Sequence, residues 1–129
     1  MIEVLRSIGV SVRWVGNDLE IKPPAVINFD KMNKEAAKRT RSVIMFIGPM
    51  MHLQKQFNIP YAGGCELGRR TVLPHLYALE EFGTDVFTKT GHYHVTANHT
   101  APKRPVVLYE SGDTTTENIL MAAAGFEEE

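Results

Sequence analysis

Cys65 is the only cysteine of the chain, and it lies in the run Tyr61-Ala62-Gly63-Gly64-Cys65-Glu66-Leu67-Gly68-Arg69-Arg70-Thr71. A thiol followed closely by two guanidinium groups can act as a reactive nucleophile, because nearby positive charge favours the thiolate. The same guanidinium groups present planar forks to phosphate or carboxylate, and the glycines permit backbone conformations closed to other residues. The run therefore reads as an anion site with a thiol in it. A second reading stays open on these residues alone, since a lone cysteine is commonly a small buried hydrophobe and Gly-Gly a simple turn.

The histidines suggest a different chemistry. His92 and His94 are two apart, so on a strand their rings share one face, and His99, His75 or Cys65 would be needed as a third zinc ligand. No paired-cysteine or helical metalloenzyme motif accompanies them, and two histidines do not close a tetrahedral site. The expectation is a polar sheet face, with no metal and no cofactor.

The elements that must position these residues follow from hydrophobic spacing. Ile2, Val4, Leu5 and Ile8 fit the end of an amphipathic helix stopped at Gly9, and Val10, Val12, Trp14 and then Leu19, Ile21 alternate about Gly16-Asn17-Asp18 as a hairpin. Asn33 is placed to cap a helix whose apolar face runs from Ala36 through Val43, Ile44 and Ile47 to Met51, with a kink or break near Gly48-Pro49. Phe57, Ile59 and Tyr61 form a short strand that delivers the chain into the cysteine run. The next helix starts near Thr71, tolerates Pro74 in its first turn, and stops at Gly83. Its N-terminus adds partial positive charge on the side of the anion site. A second hairpin turns at Thr90-Gly91, Val106-Val107-Leu108-Tyr109 reads as a buried strand, and Thr114, Thr115 or Thr116 caps a closing helix.

The chain has 129 residues, 43% hydrophobic and 22% charged, which suits one globular domain with a core of its own. A net charge of -1 gives no reason to expect nucleic-acid binding, so any anion site must be local. No stretch approaches membrane-spanning length, and one cysteine suits a reducing cytoplasm.

Several of these residues together resemble the enolpyruvyl transferases that act on UDP-N-acetylglucosamine, relatives of enolpyruvylshikimate-phosphate synthase. The resemblance rests on Arg41-Ser42 with Gly48-Pro49, on Gly63-Gly64-Cys65 with Gly68 and Arg70, on His75 and Leu79, and on Thr116 with Ile119-Leu120-Met121-Ala122-Ala123. It implies an α+β fold built from repeated units of a four-stranded sheet and two helices, an α/β prism, incomplete here. The family's chains are longer and have two similar domains. Residues 1–129 would then be a piece of the first, cysteine-bearing domain, with the remaining domain of the parent enzyme as its partner.

The resemblance also implies a reaction: a sugar hydroxyl adds across the double bond of phosphoenolpyruvate, and phosphate is then expelled. Cys65 would deliver the proton to the methylene carbon and can attack the same substrate, while Arg70 would hold anionic oxygens. Arg41, the stretch Arg70, Thr71, Val72, Leu73 and Pro74, and the loop Ser111, Gly112 and Asp113 would contact UDP-N-acetylglucosamine. Three positions depart from the family pattern: Leu73 stands for an aspartate, Thr71 for a proline, and Glu110 for a lysine that approaches the diphosphate. The last reverses a charge.

Overall fold

The computed structural model describes residues 1–62 and 71–126. Helix α1 (Ile2–Ser7) precedes the antiparallel pair β1 (Ser11–Val15) and β2 (Asp18–Lys22), with Arg13 paired to Glu20 across the strands. Strands β3 (Gln56–Pro60), β4 (Thr84–Lys89) and β5 (His92–Ala97) form a second antiparallel sheet in the order β3-β5-β4. Gly16 and Gly91 take φ of 62° and 84° at the two hairpin turns, a region that costs glycine little. Alternation along the three-stranded sheet sends Phe57, Ile59, Val95 and Ala97 into the core. The opposite face carries the row Asn58, His94 and Phe87.

The core is closed by α4 (Leu73–Glu80) and α5 (Asp113–Ala123), which pack on each other. Ile44, Ile47, Leu79 and Ala122 are fully buried where these elements meet. The architecture is α+β with small antiparallel sheets, as the resemblance implies.

Three local expectations are corrected. The long helix after Asn33 is not continuous. Asn33 does cap it, accepting from the Ala36 amide at 3.0 Å, but α2 (Lys34–Lys38) ends at Arg39 and Thr40 is extended, with φ -129° and ψ 96°. A 3₁₀ segment (Arg41–Phe46) follows and then α3 (Ile47–Met50). The break falls ahead of Gly48-Pro49, because Pro49 occupies the first turn of α3, where its missing donor costs nothing. The tighter winding buries Val43, Ile44 and Ile47 together.

The stretch 106–109 makes no ladder with any described strand. Val106 and Leu108 pack on the core, whereas Val107 and Tyr109 stay 88% and 78% exposed. Pro102 and Pro105 remove donors from its approach, and Arg104 pairs with Glu81 at the end of α4 at 2.8 Å. Lastly, no threonine caps α5. Gly112 is its N-cap residue, and the Thr116 amide and hydroxyl both donate to the Gly112 carbonyl at 3.0 Å.

Candidate functional site

Helix α4 begins without a side-chain cap at Val72, whose carbonyl accepts from the His75 and Leu76 amides at 3.0 and 3.3 Å. Thr71 supplies a local substitute: its hydroxyl accepts from the Leu73 amide at 3.1 Å, which fixes the approach of the chain to the helix. Pro74 lies in the first turn and is buried. Thr71 and Leu73 are exposed, and Val72 is half-buried.

Arg41 reaches this entry from another part of the chain. It opens the 3₁₀ segment, and its Nη2 donates to the Thr71 carbonyl at 2.8 Å. Two separated positions expected to face the nucleotide-sugar are thus joined at the start of one helix. Cys65 and Arg70, with Gly63, Gly64, Gly68 and Arg69, lie outside the described residues.

Behind the entry sits a buried polar junction that the sequence did not announce. Asn118 of α5 is fully buried; its Oδ1 accepts from the Gly48 amide at 3.0 Å, and its Nδ2 donates to the Ile44 carbonyl at 3.4 Å and to His75 Nδ1 at 3.3 Å. With Nδ1 accepting, the neutral ring of His75 carries its proton on Nε2. Burial, aided by the charge of Arg41, lowers the His75 pKa to about 4, so the ring is neutral at pH 7. Gly48 is required by proximity: a Cβ there would lie 2.6 Å from Asn118 Oδ1. An asparagine within an apolar helical run carries no motif, and only its contacts reveal the role.

On the sheet side of the entry, the Tyr61 and Tyr93 rings are 5.0 Å apart, and the Tyr61 hydroxyl donates to the Lys89 carbonyl. Burial raises the Tyr93 pKa, and neighbouring Tyr61 adds to this while Arg41 opposes it. Tyr93 therefore stays a neutral donor near the guanidinium.

The third expected contact region precedes α5. Ser111 is exposed, Gly112 is the N-cap residue, and Asp113 occupies the first turn. Tyr109 packs on Tyr77 of α4 with ring centroids 6.1 Å apart, so this region and α4 are neighbours. Glu110 Oε1 lies 3.3 Å from where a Gly112 Cβ would be, placing a carboxylate beside the start of α5.

The histidines go to separate places. His94 Nδ1 meets Asn58 Oδ1 at 2.8 Å, His92 Nδ1 faces the Thr90 carbonyl at 3.2 Å, and His99 pairs with His52 at 2.6 Å. Among the described residues no group of three or more His, Cys, Asp or Glu is arranged to hold a metal ion. Among them, too, no helix is long and apolar enough to cross a membrane.

A family model described as EPSP synthase (3-phosphoshikimate 1-carboxyvinyltransferase) matches residues 1–129. The chain is also similar to proteins named UDP-N-acetylglucosamine 1-carboxyvinyltransferase. That of Helicobacter pylori (strain ATCC 700392 / 26695) is 28% identical over 125 residues, covering 96% of this chain and 29% of the relative. The Campylobacter fetus protein is 29% identical over 124 residues, with the same coverage, and the Cellvibrio japonicus protein is 29% identical over 123 residues. The chain spans about 29% of the length of these relatives.

Proposed function

The chain belongs to the EPSP synthase family of 1-carboxyvinyltransferases, and from that premise we propose that it is part of the cysteine-bearing first domain of an enzyme that joins phosphoenolpyruvate to UDP-N-acetylglucosamine. In this reading a sugar hydroxyl adds to the substituted carbon of phosphoenolpyruvate while Cys65 protonates the methylene carbon. The hydroxyl's proton leaves to a base as the ether bond forms, and loss of phosphate together with one proton of the new methyl group then regenerates the double bond on the sugar ether. This is the opening reaction of peptidoglycan synthesis, carried out in the cytoplasm. Arg70 holds anionic oxygens by its fork, and fixed charge of this kind stabilises a transition state without reorganising.

The observation that supports the assignment of substrate contacts is the Arg41 to Thr71 hydrogen bond. It brings a guanidinium to the entry of α4, beside the positions expected to line the nucleotide-sugar. The names of the relatives favour the same acceptor. The remaining domain of the parent protein would supply the other wall of the cleft, so residues 1–129 alone are expected to give no turnover.

Phosphate release from phosphoenolpyruvate in the presence of UDP-N-acetylglucosamine tests the reading in the full-length parent. Cys65→Ala should lower the rate by about 100- to 10,000-fold, the contribution of one positioned proton donor. Arg70→Lys should impair turnover more than Arg69→Lys, since only a position that uses the guanidinium fork distinguishes the two cations. Unchanged phosphate release in Cys65→Ala would overturn the assignment.

A second reading is favoured by Glu110, whose carboxylate lies beside Gly112 where the family pattern has a lysine. A carboxylate repels a diphosphate. In that reading the fold serves as a non-catalytic nucleotide-sugar-binding or interaction domain. Saturable UDP-N-acetylglucosamine binding by the parent without phosphoenolpyruvate-dependent phosphate release would select it.

A further inference from the structure

We propose that Asn118 is a positioning residue for the nucleotide-sugar site: without touching the ligand, it fixes the segment that carries Arg41 against the helix whose entry Arg41 reaches. The proposal rests on the reading of that entry as a contact for UDP-N-acetylglucosamine. Asn118 lies at the middle of α5, and the three groups it bonds belong to three other stretches of the chain. The Ile44 carbonyl is in the 3₁₀ segment that Arg41 opens, and the Gly48 amide is in α3. His75 is in the first turn of α4, four residues beyond Thr71.

The partners allow one orientation of the side chain. Oδ1 accepts and Nδ2 donates twice, so a flipped amide would set oxygen against the Ile44 carbonyl and nitrogen against the Gly48 amide. A side chain held in this way defines where Ile44 and His75 stand relative to each other. At about three residues per turn, Arg41 and Ile44 lie one above the other on the 3₁₀ segment, and placing one places the other. The charge of Arg41 acts on the His75 ring, so these two are neighbours as well. The Arg41 contact with the Thr71 carbonyl at 2.8 Å is then the outer end of a set of fixed distances that begins at Asn118.

A polar hub suits this task better than an apolar one. Apolar contacts are not directional and let packed elements slide by small amounts, whereas hydrogen bonds sealed from water hold both distance and angle. Arginine surrenders rotamer freedom when it grips an anion, and a segment already fixed reduces what is lost on binding. Gly48 serves the same end, because only a residue without a Cβ lets α3 approach Asn118 this closely. The sequence places Asn118 far from Arg41 and from Thr71, and its effect on them passes through Ile44 and His75.

Steady-state phosphate release by the full-length parent tests this as a double-mutant cycle between Asn118 and Arg41. Asn118→Asp keeps the shape of the side chain and an acceptor for the Gly48 amide but replaces the donor amide. Asn118→Ser shortens the side chain without adding charge, so the test does not depend on one variant folding, which circular dichroism checks. Either substitution should raise KM for UDP-N-acetylglucosamine about tenfold and change kcat less than about twofold. With Arg41→Ala already in place, the same substitution should change KM less than about twofold. An unchanged KM in the folded variants, or an equal rise in both backgrounds, is what a role in stability alone would give, and either overturns the proposal. If the parent binds UDP-N-acetylglucosamine without turnover, the cycle is read in Kd with the same outcomes. A parent that neither binds nor turns over this sugar nucleotide overturns the reading of the entry, and the positioning role with it.

Discussion

Helix α5 is fastened at its middle and at its last turn by contacts that include histidines, and the two attachments are built on opposite terms. At its middle, Asn118 is sealed from water and divides its hydrogen bonds among Gly48, Ile44 and His75. At its last turn, His52 Nε2 meets the Ala122 carbonyl at 2.7 Å, His52 Nδ1 meets His99 Nε2 at 2.6 Å, and both rings pack on Phe126. His75 is buried, whereas His52 is half-buried and His99 exposed. Water can replace a partner lost at the second attachment but not at the first. Loss of a hydrogen bond therefore differs in consequence at the two attachments, because an unmet buried group bears its full desolvation cost.

The largest expected effect lies at the sealed attachment. Asn118→Ala would strand the Gly48 amide and His75 Nδ1, while the Ile44 carbonyl keeps the Ile47 amide, at a cost of about 3 kcal/mol in urea denaturation. Gly48→Ala should cost about 1–3 kcal/mol by driving a methyl into the same asparagine. A loss below about 0.5 kcal/mol in Asn118→Ala, the range of ordinary surface substitutions, would break the contrast.

Acid sharpens it next. The folded pKa of His75 is lowered to about 4 from 6.5, so between these values the unfolded chain binds the extra proton. The contribution of the neutral ring is fully present above pH 6.5 and is lost as pH falls toward 4, amounting to about 3 kcal/mol. Stability measured across that interval should fall in the parent, and His75→Gln should flatten this part of the profile. A slope unchanged by the substitution would assign the acid sensitivity to other groups.

The exposed attachment should respond least. His99→Ala is expected to cost about 1 kcal/mol or less, with hydrogen exchange accelerated at the Ala124 amide and not at Ile119. A loss as large as that of Asn118→Ala would show that the two attachments of α5 do not differ.

Much of the local structure was legible from residues near in sequence. The two hairpins follow from alternation with glycine at the turns, and the Asn33 cap follows from a side chain that bonds three residues ahead. Where expectation failed, distant partners decided. Helical periodicity spans Thr40, yet burial of Val43, Ile44 and Ile47 selects an extended residue and a 3₁₀ turn there. Val106 to Tyr109 have strand composition, but a strand needs a neighbour, and no described strand pairs with this stretch. For the candidate site, Arg41 and Thr71 were legible as separate residues through the family pattern. Their hydrogen bond was not, nor was the buried support that Asn118 gives to the helix behind them.

The sequence by itself determined which segments turn, which alternate, and that one thiol precedes two arginines within five residues of chain, because these properties depend on residue type and short spacing. Only the tertiary structure decided that Asn118 is a buried hub and His75 a neutral ring. The same side chains in water would be ordinary polar groups, and their protonation and hydrogen bonding change only when residues 43 positions apart exclude solvent from one another.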